Sequence, residues 1–197
     1  AIHSLQAPDD VEGLVFQIMQ KLPEETRDII KLASCIGNAF ELKTLSFLCS
    51  KEQDEVVNVL KPAIAEELVL PVPHERNEFP ELYHGAVSDA YEFLHDMVRQ
   101  AAYSLLTEEE RKNVHVKAGR LILQNLNHNE IDVKILSILD HINRGLDLVK
   151  DRAERLKLAE YNLAAGRKAK GSAAFGPALS YFRAGIELLP DDSWKSC

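Results

Sequence analysis

The side chains best suited to chemistry in this sequence are its histidines and cysteines, and their spacing points away from a catalytic or metal centre. Cys35, Cys49 and Cys197 are odd in number and include no C-x-x-C pair. They therefore supply neither a zinc cage nor a disulfide framework, and read as reduced thiols, with Cys35 a small buried hydrophobe on a helix. His74, His84 and His128 fall in polar stretches without ligand spacing. His115 (in NVHVKAG) and His141 (in LDHINRG) each stand alone on a helix, where a hydrogen-bonded core histidine is expected. The chain has no G-x-x-x-x-G-K-[ST], no G-x-G-x-x-G, no G-x-S-x-G and no H-E-x-x-H. Phosphate cradling, a nucleophile elbow and zinc-dependent hydrolysis each need one of those patterns. Neither catalysis nor a metal nor a cofactor is expected of these 197 residues by themselves.

Charge narrows the possible partners. The net charge is −8, but it is divided unevenly. Residues 1–110 carry 8 Lys/Arg against 21 Asp/Glu, a net of −13, whereas residues 111–197 carry 15 against 10, a net of +5. Such an asymmetry suggests two units. No run of 18 residues is free of charge, and the first ten, AIHSLQAPDD, lack the basic and then apolar pattern of a signal peptide. A cytoplasmic protein with no membrane partner is the expectation. The start at Ala1 rather than Met, and the end at Cys197, suggest a piece of a longer protein.

The elements that must position these residues are mostly helical. Leu14, Val15, Ile18, Met19 and Leu22 recur at helical spacing. Pro23 opens a second helix, with Glu24, Glu25 and Asp28 at its positive end and Ile29, Ile30, Ala33 and Ile36 on its apolar face. Gly37-Asn38 stops it, and Glu41 to Cys49 forms a short third helix. Ser50 is expected to cap the next, in which Val56, Leu60 and Ile64 face inward and Pro62 kinks or shortens the segment. Leu68 to Pro73, the polar stretch HERNEFPELYHGAVSD and Tyr91 to Leu94 read as strand, long loop and strand. One β-hairpin near 68–94, and no other sheet, is predicted. His95 to Leu106 is helical again, and Thr107-x-x-Glu110 is a capping box that starts a helix running to about Leu126. Ile131 to Val149, Arg152 to Lys170 and Ala173 to Leu189 complete the series.

The fold class expected is thus mainly α: a winged helix with one short hairpin over residues 1–106, then an array of helical hairpins over 107–197. The last two helices are rich in small residues, which let helices approach closely as in tetratricopeptide repeats. Gly166, Ala178 and Phe182 fall where that repeat wants glycine, alanine and an aromatic, but Asn162 and Ala169 stand where it wants large aromatics. Leu179, Phe182 and Leu188 would form a face for a following repeat to cover. A winged helix can bind DNA, so a fragment of a transcriptional regulator is the alternative function. The candidate recognition helix, Lys51 to Glu67, carries Lys51 and Lys61 against Glu52, Asp54, Glu55, Glu66 and Glu67. Phosphate contacts need clustered cations, so this helix argues against nucleic acid.

The stretch YEFLHDMVRQAAYSLLTEEERKNVHVKAGRLIL, Tyr91 to Leu123, carries the most specific pattern. Its Phe93, His95, Asp96, Val98, Ala101, Ala102, Tyr103, Leu105, Glu109, Glu110, Arg111 and His115 resemble a phrase that recurs after the ATPase core of STAND-class signalling NTPases. The likeness is to predicted ATPases fused to serine/threonine kinases, sensor histidine kinases or nucleotide cyclases. LPEETRDIIKLASCIGNAFELKTL (Leu22 to Leu45), HINRGLDLV (His141 to Val149) and LAAGRKAKGSAAFGPALSYFRAGIELL (Leu163 to Leu189) are similar to the same family. The resemblance implies a joint in a larger machine. An upstream NTPase module would bind ATP or ADP, downstream tetratricopeptide-like repeats would lead to the output enzyme, and protein partners would engage the arm. This piece would be a non-enzymatic regulator of signal transduction. It also implies that His95, in the L-H-D phrase, touches the diphosphate held by the upstream module; the alternative is that His95 and Asp96 only cap a helix.

Overall fold

The computed structural model describes residues 11–72 and 88–190. Most of the polar loop predicted between the two strands, with His74 and His84, lies outside the described residues, as does Cys197. The chain divides into two compact units, residues 1–111 and 112–197.

In the first unit, α1 (Val11–Lys21) and α2 (Glu24–Ile36) are separated by Pro23, whose carbonyl accepts the Arg27 N–H at 3.0 Å. Then come β1 (Ala39–Glu41), α3 (Leu42–Cys49), α4 (Gln53–Ala65), β2 (Val69–Pro71), β3 (Ala90–Phe93) and α5 (Asp96–Ser104). Helix α2 is the hub, packing on α3, α4 and α5. Its Ile29, Ile30 and Ala33 enter one core with Met19, Leu45, Val56, Leu60 and Val98. Its buried Thr26 hydroxyl donates to the Val59 carbonyl of α4 at 2.8 Å, which satisfies a polar group that burial would otherwise penalise. Pro62 is accommodated inside α4, which ends three residues later.

The sheet has three strands in the order β1-β3-β2, all antiparallel, with Phe40 opposite Tyr91 and Val69 opposite Phe93. The prediction of a single hairpin and no other sheet is therefore corrected by one strand. β1 is three residues long and buries only Phe40, too short a run for its alternation to stand out in the sequence. What fixes it is tertiary: the Phe40 ring lies 6.2 Å from Tyr91 and 5.6 Å from Phe93, on the face turned to the core. Pro71 sits on the edge strand β2, where a missing N–H is tolerated. Ser50 is a second correction. It ends α3 in the left-handed conformation (φ 58°), and Glu52 is the residue before α4.

Helix α6 (Glu108–Gln124) starts at the expected capping box: the Thr107 N–H donates to Glu110 Oε2 at 2.7 Å and the Glu110 N–H to Thr107 Oγ1 at 3.3 Å. In the second unit follow α7 (His128–Ile142), a 3-10 helix (Asn143–Leu148), α8 (Arg152–Gly171) and α9 (Phe175–Leu188). The helix predicted over 131–149 is thus divided, because Gly145 leaves helical geometry (φ −141°, ψ 42°). A second core joins Val116, Ile135, Ile138, Leu139, Ile142, Leu158, Ala165 and Leu188. Gly119 permits the close approach of α6 to α7: a Cβ there would overlap Ile142 Cγ1 and stand 3.2 Å from the Ile138 carbonyl. Arg120 and Glu154 form a two-pronged ion pair, at 2.7 and 2.9 Å, between α6 and α8.

Candidate functional site

His95 stands between β3 and α5. Both neighbouring segments hold the strand end that leads to it: Phe93 N–H donates to the Asn38 carbonyl at 2.9 Å, and Leu94 N–H to the Leu68 carbonyl at 3.2 Å. His95 is extended (φ −138°, ψ 141°) and its carbonyl accepts the Val98 N–H at 2.9 Å, which starts the helix. Its imidazole is exposed and makes no hydrogen bond to the free amides of the helix end. Asp96 turns along its own helix instead, accepting from Arg99 Nε at 2.8 Å and from Gln100 Nε2. The Arg99 bond, then the Gln100 bond, hold its carboxyl below the usual range. The capping role weighed for the His95 side chain is therefore not the one seen. The α5 N-terminus still offers N–H groups and a partial positive charge to an anion.

Helix α4 turns Gln53, Asp54, Glu55, Asn58 and Lys61 outward. Lys51, two residues before the helix, is bracketed by Glu25 (2.7 Å) and Glu55, which hold its ammonium charged well above its ordinary range. Two acidic neighbours on one cation leave this surface negative.

Two histidines read separately from the sequence are brought together in the second unit. His115 of α6 and His141 of α7 place their Nδ1 atoms 3.0 Å apart, with ring centroids 5.3 Å apart. Burial, then the charges of His141 and Arg144, pull His115 down to about 4. Burial and Arg144 lower His141 as well, against the opposing pull of Asp140. Nothing in the sequence announces this pair, because 26 residues and a helix–helix crossing separate its members. Close by, Tyr181 of α9 donates to Asp140 at 2.7 Å, and burial with that carboxylate pushes the phenol up. Cys35 is buried, as read, and Cys49 is partly buried with its Sγ against the Leu45 carbonyl at 3.1 Å. Among the described residues no three His, Cys, Asp or Glu side chains are grouped to hold a metal ion.

The outer side of α8 and α9 forms a groove of about 420 Å³, lined by Leu156, Leu163, Phe182, Ile186 and Leu189, with Glu160 on its wall. Phe175, Leu179, Phe182 and Ile186 recur at three- and four-residue steps, one stripe of α9, and Leu189 follows just after the helix. Phe175 is 66% exposed, Leu179 50% and Ile186 56%. Leu188, expected on the outer face, is instead fully buried in the core. Gly166 lets α9 close on α8, since a Cβ there would overlap the Phe182 ring.

No family model matches the chain, and no solved structure does. The chain is 27% identical, over 230 aligned positions, to hybrid signal transduction histidine kinase G of Dictyostelium discoideum, covering 98% of this chain and 7% of that protein. It is 25% identical, over 189 positions, to the peroxide stress-activated histidine kinase mak3 of Schizosaccharomyces pombe, covering 91% of this chain and 7% of that protein. The chain thus spans about 7% of the length of these curated relatives, and its likeness is to signalling histidine kinases. No described helix is long and apolar enough to cross a membrane.

Proposed function

We propose that this chain is a non-catalytic regulatory and interaction piece of a large signalling ATPase or kinase, coupling the nucleotide state of an upstream NTPase module to a downstream helical arm. On this reading residues 1–106 are a winged-helix domain and 107–197 begin a tetratricopeptide-like array. The order helix, strand, helix, helix, strand, strand, with β3 central, supports the first part. The likeness to two signalling histidine kinases supports the setting. The observation that carries the proposal is the apolar groove of α8 and α9, which suits the apolar face of a further helix of the arm. Burying each large side chain of the α9 stripe is worth about 1.5–3 kcal/mol. The acidic outer side of α4 argues against the alternative of a DNA-binding regulator, because it offers phosphates no cation cluster.

At the other end of the mechanism, His95 contacts the diphosphate held by the upstream module. Its exposed imidazole and the amides of the α5 N-terminus are a suitable donor set for a phosphate. Bound ADP holds the first unit against the ATPase core, and loss of that contact releases the arm, a shift between two states. The test is His95→Ala in the full-length protein. One hydrogen bond to a charged acceptor is worth about 1.5–3 kcal/mol, so ADP should bind roughly 10- to 150-fold more weakly and basal output should rise. Unchanged ADP affinity together with unchanged basal output would refute the coupling.

A further inference from the structure

The pair His115 and His141 has no part in the coupling just proposed, and its geometry restricts it to few protonation states. With Nδ1 atoms 3.0 Å apart, one ring must donate and the other accept. The neutral pair satisfies this with one Nδ1–H and one Nε2–H tautomer. A first added proton keeps the bridge, because an imidazolium can still donate to its neutral neighbour. A second leaves two N–H donors face to face and two positive charges where His115 is only 5% exposed. At His115 the charges that act on the ring do not relieve this. Arg144, from the 3-10 helix, adds a third positive charge that acts on both rings. Asp140 of α7 opposes it at His141, but it already accepts the Tyr181 hydroxyl of α9. Lys112, one turn before His115, is paired with Asp147 at 3.2 Å.

We propose that this histidine pair is a proton-operated latch between α6 and α7, closed with at most one proton on the two rings and opened by the second. The packing around it favours a two-state response. Gly119 is fitted against Ile142 and the Ile138 carbonyl with no room to slide, so separation of the rings unseats the α6–α7 crossing as a whole. The lowered affinity of His115 for a proton has the matching sign. A histidine depressed in the folded state stabilises the fold fully above its ordinary value, and that stability is lost as pH falls from there through the folded value.

Amide hydrogen exchange of the full chain, with α2 as internal reference, tests the latch. Between about pH 7.5 and 4.5 the opening constant for α6 and α7 should rise roughly 70-fold through His115 alone, given its fall from 6.5 to about 4. In His115→Gln, whose amide can still bond to His141 but takes no proton, the rise should be clearly smaller than in the wild type. An equal rise in both proteins, or none in the wild type, overturns the latch. Should the variant not fold, a histidine NMR titration of the wild type decides. Two separated steps, with α6 and α7 resonances moving on the second, support it. Independent titration near the ordinary value without helix movement overturns it.

Discussion

Two glycine-to-alanine substitutions in the same half of the chain should change stability in opposite directions, and the difference tests whether α6 and α7 are packed without slack. In a helix interior alanine is favoured over glycine by about 1 kcal/mol. At Gly176, in the first turn of α9, a Cβ would meet nothing within 4 Å. Gly176→Ala should therefore gain about 0.5–1 kcal/mol. At Gly119 the same methyl would overlap Ile142 Cγ1, an inner atom of a fully buried side chain, and press on the Ile138 carbonyl at 3.2 Å. Neither neighbour is the free end of a flexible chain, so overpacking should cost about 3 kcal/mol, the top of the usual range. The net expectation for Gly119→Ala is a loss of about 2 kcal/mol. With a urea m-value of about 2 kcal/mol per molar, the midpoint should fall by about 1 M for Gly119→Ala and rise by about 0.3–0.5 M for Gly176→Ala. The assay is urea unfolding of the full chain, followed by the helical circular dichroism signal. A Gly119→Ala midpoint at or above the wild-type value would refute the argument, and with it the rigidity on which the latch depends.

Two further outcomes are expected. Fluorescence anisotropy with duplex DNA should show no binding at physiological salt, since residues 1–110 carry a net −13; binding that weakens steeply as salt is added would contradict this. Asn162→Leu removes both amide bonds between Asn162 and Asn143 (2.8 and 3.1 Å), and should cost about 1–3 kcal/mol in chemical denaturation because the Asn143 amide loses its partner. The double substitution Asn143→Leu/Asn162→Leu should recover part of that loss, and equal additive losses would show that the amides do not act as a pair.

The parts of this fold that could be read from the sequence are those specified within one turn of helix. The Thr107–Glu110 capping box and the apolar face of α2 are local, and both stand where the residues placed them. What escaped depends on distant partners. β1 exists because Tyr91 and Phe93 offer Phe40 a surface fifty residues later, and three residues carry no period of their own. The break at Asn143 follows from Gly145, whose missing Cβ lets the chain come within reach of Val116 and the Lys112 carbonyl of α6. The histidine pair belongs to this second kind, as each ring looks like an ordinary core residue until the two helices cross. The outward side of α9 is legible only in part: Leu179 and Phe182 lie on it as expected, whereas Leu188 enters the core and Ile186 takes the surface.

The Asn143–Asn162 pair also bears on how freely this segment can be recombined. Asn162 is fully buried, exchanges both amide bonds with the 3-10 helix, and donates besides to the Leu158 carbonyl one turn back. Its Cβ faces Gly185 at a distance that already leaves an added methyl there only 3.3 Å away. A helical hairpin carrying an aromatic ring at this position would bring too much volume and no matching amide. Repeat arrays are commonly lengthened or shuffled by cutting and rejoining interchangeable hairpins. On the proposed repeat reading, the α8–α9 hairpin is keyed to the 3-10 helix before it, so a chimaera that keeps residues 143–190 together should assemble, whereas one joined between the 3-10 helix and α8 leaves a buried amide with nothing to answer it.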